Sequence, residues 1–452
     1  MRAGITALFS CCVIATLARQ VPALPPPGDG KVCADTGPDS GDAKVSRFKY
    51  LPLFGDSVSF ISLGGEARWQ YFISHNEKWG DAAFDNDQYI LQRYLLHADL
   101  HTGKYIRFFV QAQSSLALRR KEPGPIEHNP LEMHQFFIEW TLSGGKRLQL
   151  GRQEWLYGSQ RLMGVREGPN SRLSFDAAKF SWKKTQQQLD LFYGRPVINR
   201  RHLLNDRSSA DLAIWGLYVV ENNIRFLNNF DFYYLGYSRN NSVYDLAVGR
   251  ELRHSAGIRV WRDDGSWTYD LEALYQWGRL DSWKIRAWTI SANISYRFDN
   301  CIWKPQPGLK AELISGDQDR DDGRLGSFNA MFPRGAYFGL AALIGPSNLA
   351  DWHPSLLLSP GENWQMGIDW DLFWRFSKND GLYATNGAIL YSGRNVSGNF
   401  IGSQVSFNLS RKWKHRIESN LEFTWFNAGA FLKEAGKGRD ILFAGVTFQV
   451  KY

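Results

Sequence analysis

Segments of ten to fifteen residues in which every second side chain is apolar recur along most of this chain, and they constrain the fold more than any motif. In one of them Trp267, Tyr269, Leu271, Ala273, Tyr275 and Trp277 fall on one face, and Thr268, Asp270, Glu272 and Gln276 on the other. Period-two alternation is the signature of a strand with two unlike faces. The pattern returns with Trp364, Met366, Ile368, Trp370, Leu372 and Trp374 against Asn363, Gln365, Asp369, Asp371 and Arg375. It returns again with Leu421, Phe423 and Trp425 against Arg416, Glu418, Asn420, Glu422 and Thr424. Aromatics at the ends of an apolar face suit the two interfaces of a bilayer, and charges on the opposite face then require a wet interior.

Turn residues divide the chain into strands near 60–73, 87–101, 104–118, 131–142, 146–155, 173–183, 187–196, 210–220 and 226–238. A second set falls near 249–262, 266–278, 284–298, 307–315, 348–358, 363–376, 399–410, 414–428 and 440–452. The total, about eighteen, is even, as a single-chain bacterial barrel requires. Short connections such as His101-Thr102-Gly103, Ser143-Gly144-Gly145 and Asp263-Asp264-Gly265 alternate with long ones such as 74–86, 119–130, 155–172, 316–347 and 378–398. The fold class expected is all-β: a transmembrane antiparallel barrel with short periplasmic turns and long extracellular loops. The last strand, Gly445 to Tyr452, alternates and ends on an aromatic, as terminal strands of such barrels do.

The N-terminus fits export. Arg2 precedes a largely apolar stretch to Ala18, and Val21-Pro22-Ala23 offers small residues for cleavage. The domain layout expected is a signal peptide over 1–23, a Pro/Gly-rich periplasmic leader over 24–58 and the barrel over 59–452, placed in the bacterial outer membrane. Of four cysteines, Cys11 and Cys12 leave with the signal. Cys33 and Cys301 remain, on the periplasmic side, either as a disulfide or as two isolated thiols. The formal charge of +8 falls to 8 − 2 = +6 once Arg2 and Arg19 are removed. Lumen-facing charge on an exported chain argues against a nucleic-acid partner.

Motifs for hydrolysis, nucleotide binding or metal binding are missing from the sequence: there is no G-x-S-x-G, no G-x-x-x-x-G-K-[ST] and no H-E-x-x-H. No cofactor, metal or catalytic residue is expected. His97, Asp99 and His101 have an alternating spacing that reads as polar pore wall. The run Asp317, Asp319, Asp321 and Asp322 misses the glycine and glutamate positions of an EF-hand loop and reads as a solvated acidic loop. Basic residues crowd the span from Arg93 to Arg201, where Arg107 alternates with Ile106 and Phe108 and so faces the lumen with acids such as Asp99, Glu139, Asp176 and Asp190. Such a mixed ladder either attracts anionic substrates or braces the barrel with salt bridges.

The run DNDQYILQRYLLHADLHTGKYIRFFVQAQSSLALRR, followed by GRQEWLYGSQRLMGVREGPNSRLSFDAAKF, resembles the alginate export family of outer-membrane proteins. The resemblance implies a monomeric eighteen-stranded porin that passes anionic polysaccharide or oligosaccharide through an Arg/Asp-lined lumen. The positions it points to are Arg93, Asp99, Arg107, Gln111, Arg152, Gln153, Arg161, Arg166, Asn170, Arg172 and Asp176. Arg93, Arg107, Arg152 and Arg172 are the expected anion contacts, and loops 155–172 and 316–347 the expected gates. Other partners implied are outer-membrane lipid, lipopolysaccharide and the barrel-assembly machinery. The competing readings are a general or small-anion porin, an adhesion or assembly barrel with a blocked lumen, and a membrane-embedded hydrolase.

Overall fold

The computed structural model describes residues 49–53, 58–413 and 416–452. The signal segment, most of the leader and Cys33 lie outside them. Eighteen strands of eight or more residues form one antiparallel sheet. The first nine are β1 (Phe60–His75), β2 (Asn86–Thr102), β3 (Ile106–Leu118), β4 (Asn129–Leu142), β5 (Lys146–Gln153), β6 (Phe175–Lys183), β7 (Gln187–Ile198), β8 (Leu212–Ile224) and β9 (Asn228–Val243). The second nine are β10 (Val248–Arg262), β11 (Trp267–Leu280), β12 (Trp283–Tyr296), β13 (Gln306–Ile314), β14 (Leu349–Gly361), β15 (Trp364–Arg375), β16 (Phe400–Trp413), β17 (Ile417–Ala428) and β18 (Ile441–Lys451). Each pairs with its neighbour in sequence, and β18 returns to β1 in a register running from Glu66 opposite Lys451 to His75 opposite Leu442. Closure leaves no unpaired edge, the condition for a sheet to sit in lipid.

Side-chain parity sorts inside from outside as the alternation requires. On β14 and β15, Trp352 and Trp370 are 58% and 48% exposed on the outer face, whereas Asp369 and Asp371 are 8% and 0% exposed within. Turns at the end carrying the first and last strand edges are tight. Gly144 and Gly145 adopt φ of 73° and 76° between β4 and β5, and a Cβ on Gly145 would stand 2.1 Å from the Lys183 carbonyl oxygen. Cys301 lies exposed in the turn 297–305 at this end.

Connections at the opposite end, the loop end, include 154–174, 315–348, 376–399 and 429–440. Two others there, 244–247 and 281–282, are short. Loop length therefore marks the two ends on average and not at every hairpin.

The expectation of a lumen wet throughout needs correction. The main apolar core lies inside the barrel at the loop end, where inward positions turn from polar to apolar: Phe175, Ile214, Leu349, Phe373, Ile401, Phe426 and Ile441 all sit near loop-end strand termini. Loops fold in and pack on them through Leu162, Phe328, Phe332, Phe338 and Ile344, joined by Phe431 of the short helix α1 (Ala430–Ala435). Burying these side chains against one another is favourable by roughly 25 cal/mol per Å² of apolar surface. That driving force draws the loops inward.

Candidate functional site

Loops 154–174 and 315–348 meet each other across the lumen. Met163 and Phe332 form an isolated bridge. The Gly164 amide donates to the Phe332 carbonyl at 2.8 Å, the Phe332 amide to Leu162 at 3.0 Å and the Arg334 amide to Gln160 at 3.0 Å. Beside the junction, Arg161 fans its guanidinium onto the far wall. Its Nε donates to Glu272 of β11 at 3.0 Å, and its terminal nitrogens donate to Glu312 of β13, Ser291 of β12 and the Tyr337 hydroxyl. One side chain thus ties loop 154–174 both to the wall and to loop 315–348.

A run of rings fixes the root of the same loop. Phe175, Trp155, Phe192, Tyr157, Tyr218 and Tyr233 follow one another with centroids 4.6–5.3 Å apart. The Tyr157, Tyr218 and Tyr233 hydroxyls donate to Asp190 (3.0 Å), Asp231 (2.7 Å) and Glu272 (2.5 Å). Gln153, an expected lumen contact, instead accepts from the Trp155 indole at 3.1 Å and donates to the Gly151 and Ala177 carbonyls. Asn170 is likewise a lock, its amide nitrogen shared among the carbonyls of Gln92, Leu116 and Glu127 at 2.9–3.2 Å.

The remaining arginines stand on β1, β2, β3 and β5 and in loop 154–174, interleaved with buried carboxylates such as Glu66, Asp99, Glu132 and Glu139. Arg107 grips Asp99 with two bonds, 2.7 and 2.9 Å, and lies over the rings of Phe109 and Phe137. Arg152 grips Asp176 at 2.7 and 3.0 Å, but this pair lies on the outer face. The register sets Arg152 between Asp176 and Phe136, which is 61% exposed, one position out of step with the inward Gln153 and Phe175, so neither residue lines the lumen as expected. Gln111 accepts from Gln135 at 2.9 Å. His97 stacks on Phe109 and His101 on Phe60, with the His101 Nε2 3.2 Å from Asp99. Arg93 is wholly enclosed, between Glu66 at 2.6 Å and Glu167 of the inward loop. Arg172 reaches Glu154 at 2.9 Å and Glu167 at 3.3 Å, and Arg68 donates to the Glu167 and Pro169 carbonyls at 2.7 and 2.8 Å. Burial pushes the Glu167 carboxyl up, but Arg93, Arg172 and Arg68 outweigh it and hold the group well below the usual carboxylate range.

Arg166, next to this cluster, differs from the other five predicted arginines. Half-buried in the loop with φ of 56°, it has no hydrogen bond or ion pair among the described residues. Burial alone lowers its pKa to about 10, so it remains charged at neutral pH. On the arc from β11 to β17, inward carboxylates predominate: Glu272, Glu312, Asp351, Asp369, Asp371 and Glu422. Beneath the Trp155–Gly158 stretch a cavity of about 510 Å³ extends to Arg262, Asp263 and Arg297 at the turn end and is lined by Lys179, Asp190 and Arg259.

Glu66 and Arg68 were not among the expected residues, although their i, i+2 spacing on β1 gives them the inward parity of Gln70. Glu154 and Glu167 carried no periodic signal, because both stand in a loop. Asp319 and Asp322 of the acidic run accept local backbone N–H groups, and Asp317 is buried against Asp380.

No curated protein matches the sequence. A family model described as alginate export matches residues 59–442. Among solved structures the chain is similar to Pseudomonas aeruginosa OccK9 (OpdG), at 10% identity and a TM-score of 0.60, covering 87% of this chain and 98% of that one. It is also similar to OpdO of the same organism (11% identity, TM-score 0.59, 87% and 97% covered). A third is OccK2 (OpdF) of that organism in complex with glucuronate (11% identity, TM-score 0.56, 86% and 96% covered).

Proposed function

Since the chain belongs to the alginate export family and forms an outer-membrane porin-like channel, we propose that it conducts anionic saccharides, chains or short oligomers of carboxylated sugars, past the arginines of β1 to β3 and of loop 154–174. The observation that carries this reading is Arg166, a charged and unpaired guanidinium beside the loop junction. A half-buried cation without a counterion attracts carboxylate with a charge-assisted contact. Arg107, part-exposed and already offset by Asp99, adds attraction weak enough to permit release. Arg93 and Arg172 contribute from behind the loop by fixing Glu167 and with it the position of Arg166. The glucuronate held by OccK2 is a carboxylated sugar of the same chemistry, which supports the substrate class.

Block of single-channel current by uronic-acid oligosaccharides tests the proposal. Block should rise with concentration and weaken about 10–30-fold in Arg166→Ala, the loss of one charge-assisted contact of about 1.5–2 kcal/mol. Equal block by neutral oligosaccharides, or free passage of any small anion without block, would instead indicate a general porin.

A further inference from the structure

On the acidic arc, four inward side chains converge from two adjacent strands. Asp351 and His353 stand at i, i+2 on β14, and Asp369 and Asp371 at i, i+2 on β15, so all four share the lumen face. The register sets Ser355 opposite Asp369 and Asp351 opposite Phe373, which brings Asp371 beside His353. One ligand atom from each of His353, Asp369 and Asp371 lies within 4.8 Å of the others, and all three residues are buried.

This cluster lacks the partners that buried polar groups normally have. The His353 Nε2 is 3.4 Å from an Asp369 oxygen and its Nδ1 touches Asp371. Even so, neither ring nitrogen, nor Asp371 Oδ1, nor either oxygen of Asp351 makes a hydrogen bond among the described residues. The other Asp371 oxygen accepts from the Gln404 amide at 3.1 Å, which turns Oδ1 toward the imidazole. Lys310, the cation of the adjoining strand β13, is 3.3 Å from Glu312 and lies over the rings of Tyr337 and Phe338. Arg161 is committed to Glu272 and Glu312. Three buried carboxylates, with Glu312 beside them, therefore face one imidazole and the Lys310 side chain set opposite it on β13, an excess of negative charge that a dication resolves.

We propose that His353, Asp369 and Asp371, completed by Asp351, form a divalent-cation site in the lumen wall. One imidazole nitrogen with carboxylate oxygens suits the zinc and manganese class better than calcium, which prefers all-oxygen sets, or copper(I), which prefers sulfur. Tetrahedral bonds of about 2.0–2.1 Å put ligand atoms roughly 3.3 Å apart, so closure requires side-chain shifts of under about 1 Å. Gln404 is the positioning residue, with the orienting role that outer-shell amides have at metal centres. No sequence motif announces such a site, because its ligands pair across strands rather than along a helix or loop.

The test uses the intact barrel purified in detergent, stripped with EDTA and titrated with Zn2+ by calorimetry. Binding of one equivalent per chain is expected, weakened at least 10-fold in Asp371→Asn and His353→Ala and about 10-fold in Gln404→Leu. X-ray absorption of the Zn-loaded wild-type protein, which depends on no variant folding, should give one imidazole nitrogen among oxygen neighbours. No saturable 1:1 binding, binding unchanged in Asp371→Asn and His353→Ala, or a zinc shell with several imidazoles would overturn the proposal.

Discussion

Arg161→Ala should free the junction between the two inward loops, and the size of the effect follows from what the guanidinium leaves behind. Glu312 is fully buried and Glu272 nearly so, and both lose their Arg161 contact. Removing one partner of a buried ion pair costs about 3–5 kcal/mol. Here part of the charge remains covered, because Lys310 lies 3.3 Å from Glu312, while Tyr233 and Ser159 still donate to Glu272 at 2.5 and 2.6 Å. The expected cost is therefore about 2–4 kcal/mol. It falls on loop docking rather than on the sheet, whose ladders do not involve this side chain. At 1.4 kcal/mol per decade, about 3 kcal/mol makes the undocked loop roughly 100-fold more populated relative to the docked one. In planar bilayers the variant should show frequent excursions to a larger conductance, and trypsin should cut within 154–174 faster than in the wild type. Arg161→Met combined with Glu312→Gln should be less affected than Arg161→Met alone, because the second change removes the orphaned charge. Wild-type conductance and trypsin resistance in Arg161→Ala would refute the reasoning.

Trp155→Ala opens a cavity in the ring stack and should lower stability by about 3–5 kcal/mol, read as a lower midpoint in heat-induced loss of the folded band on gels. Acid should tighten the outer loops. Burial, and then Asp380, push the Asp317 carboxyl up to about 6 from an ordinary value near 4. The folded lock thus favours the protonated form, and its contribution fades as pH rises from about 4 through 6. Proteolysis of 315–348 should be slower at pH 5 than at pH 7.5, and uniformly slow in Asp317→Asn; faster cleavage at the lower pH would contradict the sign.

Strand number and parity were legible because lipid on one side and a polar wall on the other impose a strict period of two. Trp267 to Trp277 and Trp364 to Trp374 show this along single strands. Loop docking was not legible. Arg161 meets Glu272 and Glu312 only after closure brings β11 and β13 across from β5, and no local pattern links residues more than 100 positions apart. The apolar lining of the loop end left one local trace, the succession Asp369, Asp371, Phe373 on inward positions, which breaks the polar series just where the loops pack. Gln153 and Asn170 fell among the expected site residues by resemblance, yet each spends its amide on holding the inward loop.

The reversal potential of single channels under a potassium chloride gradient tests the central claim most directly. The account predicts anion preference in the wild type, reduced in Arg166→Ala and not in a variant of the solvent-facing Arg439 at the loop end. Cation preference, or anion preference indifferent to Arg166, would contradict it.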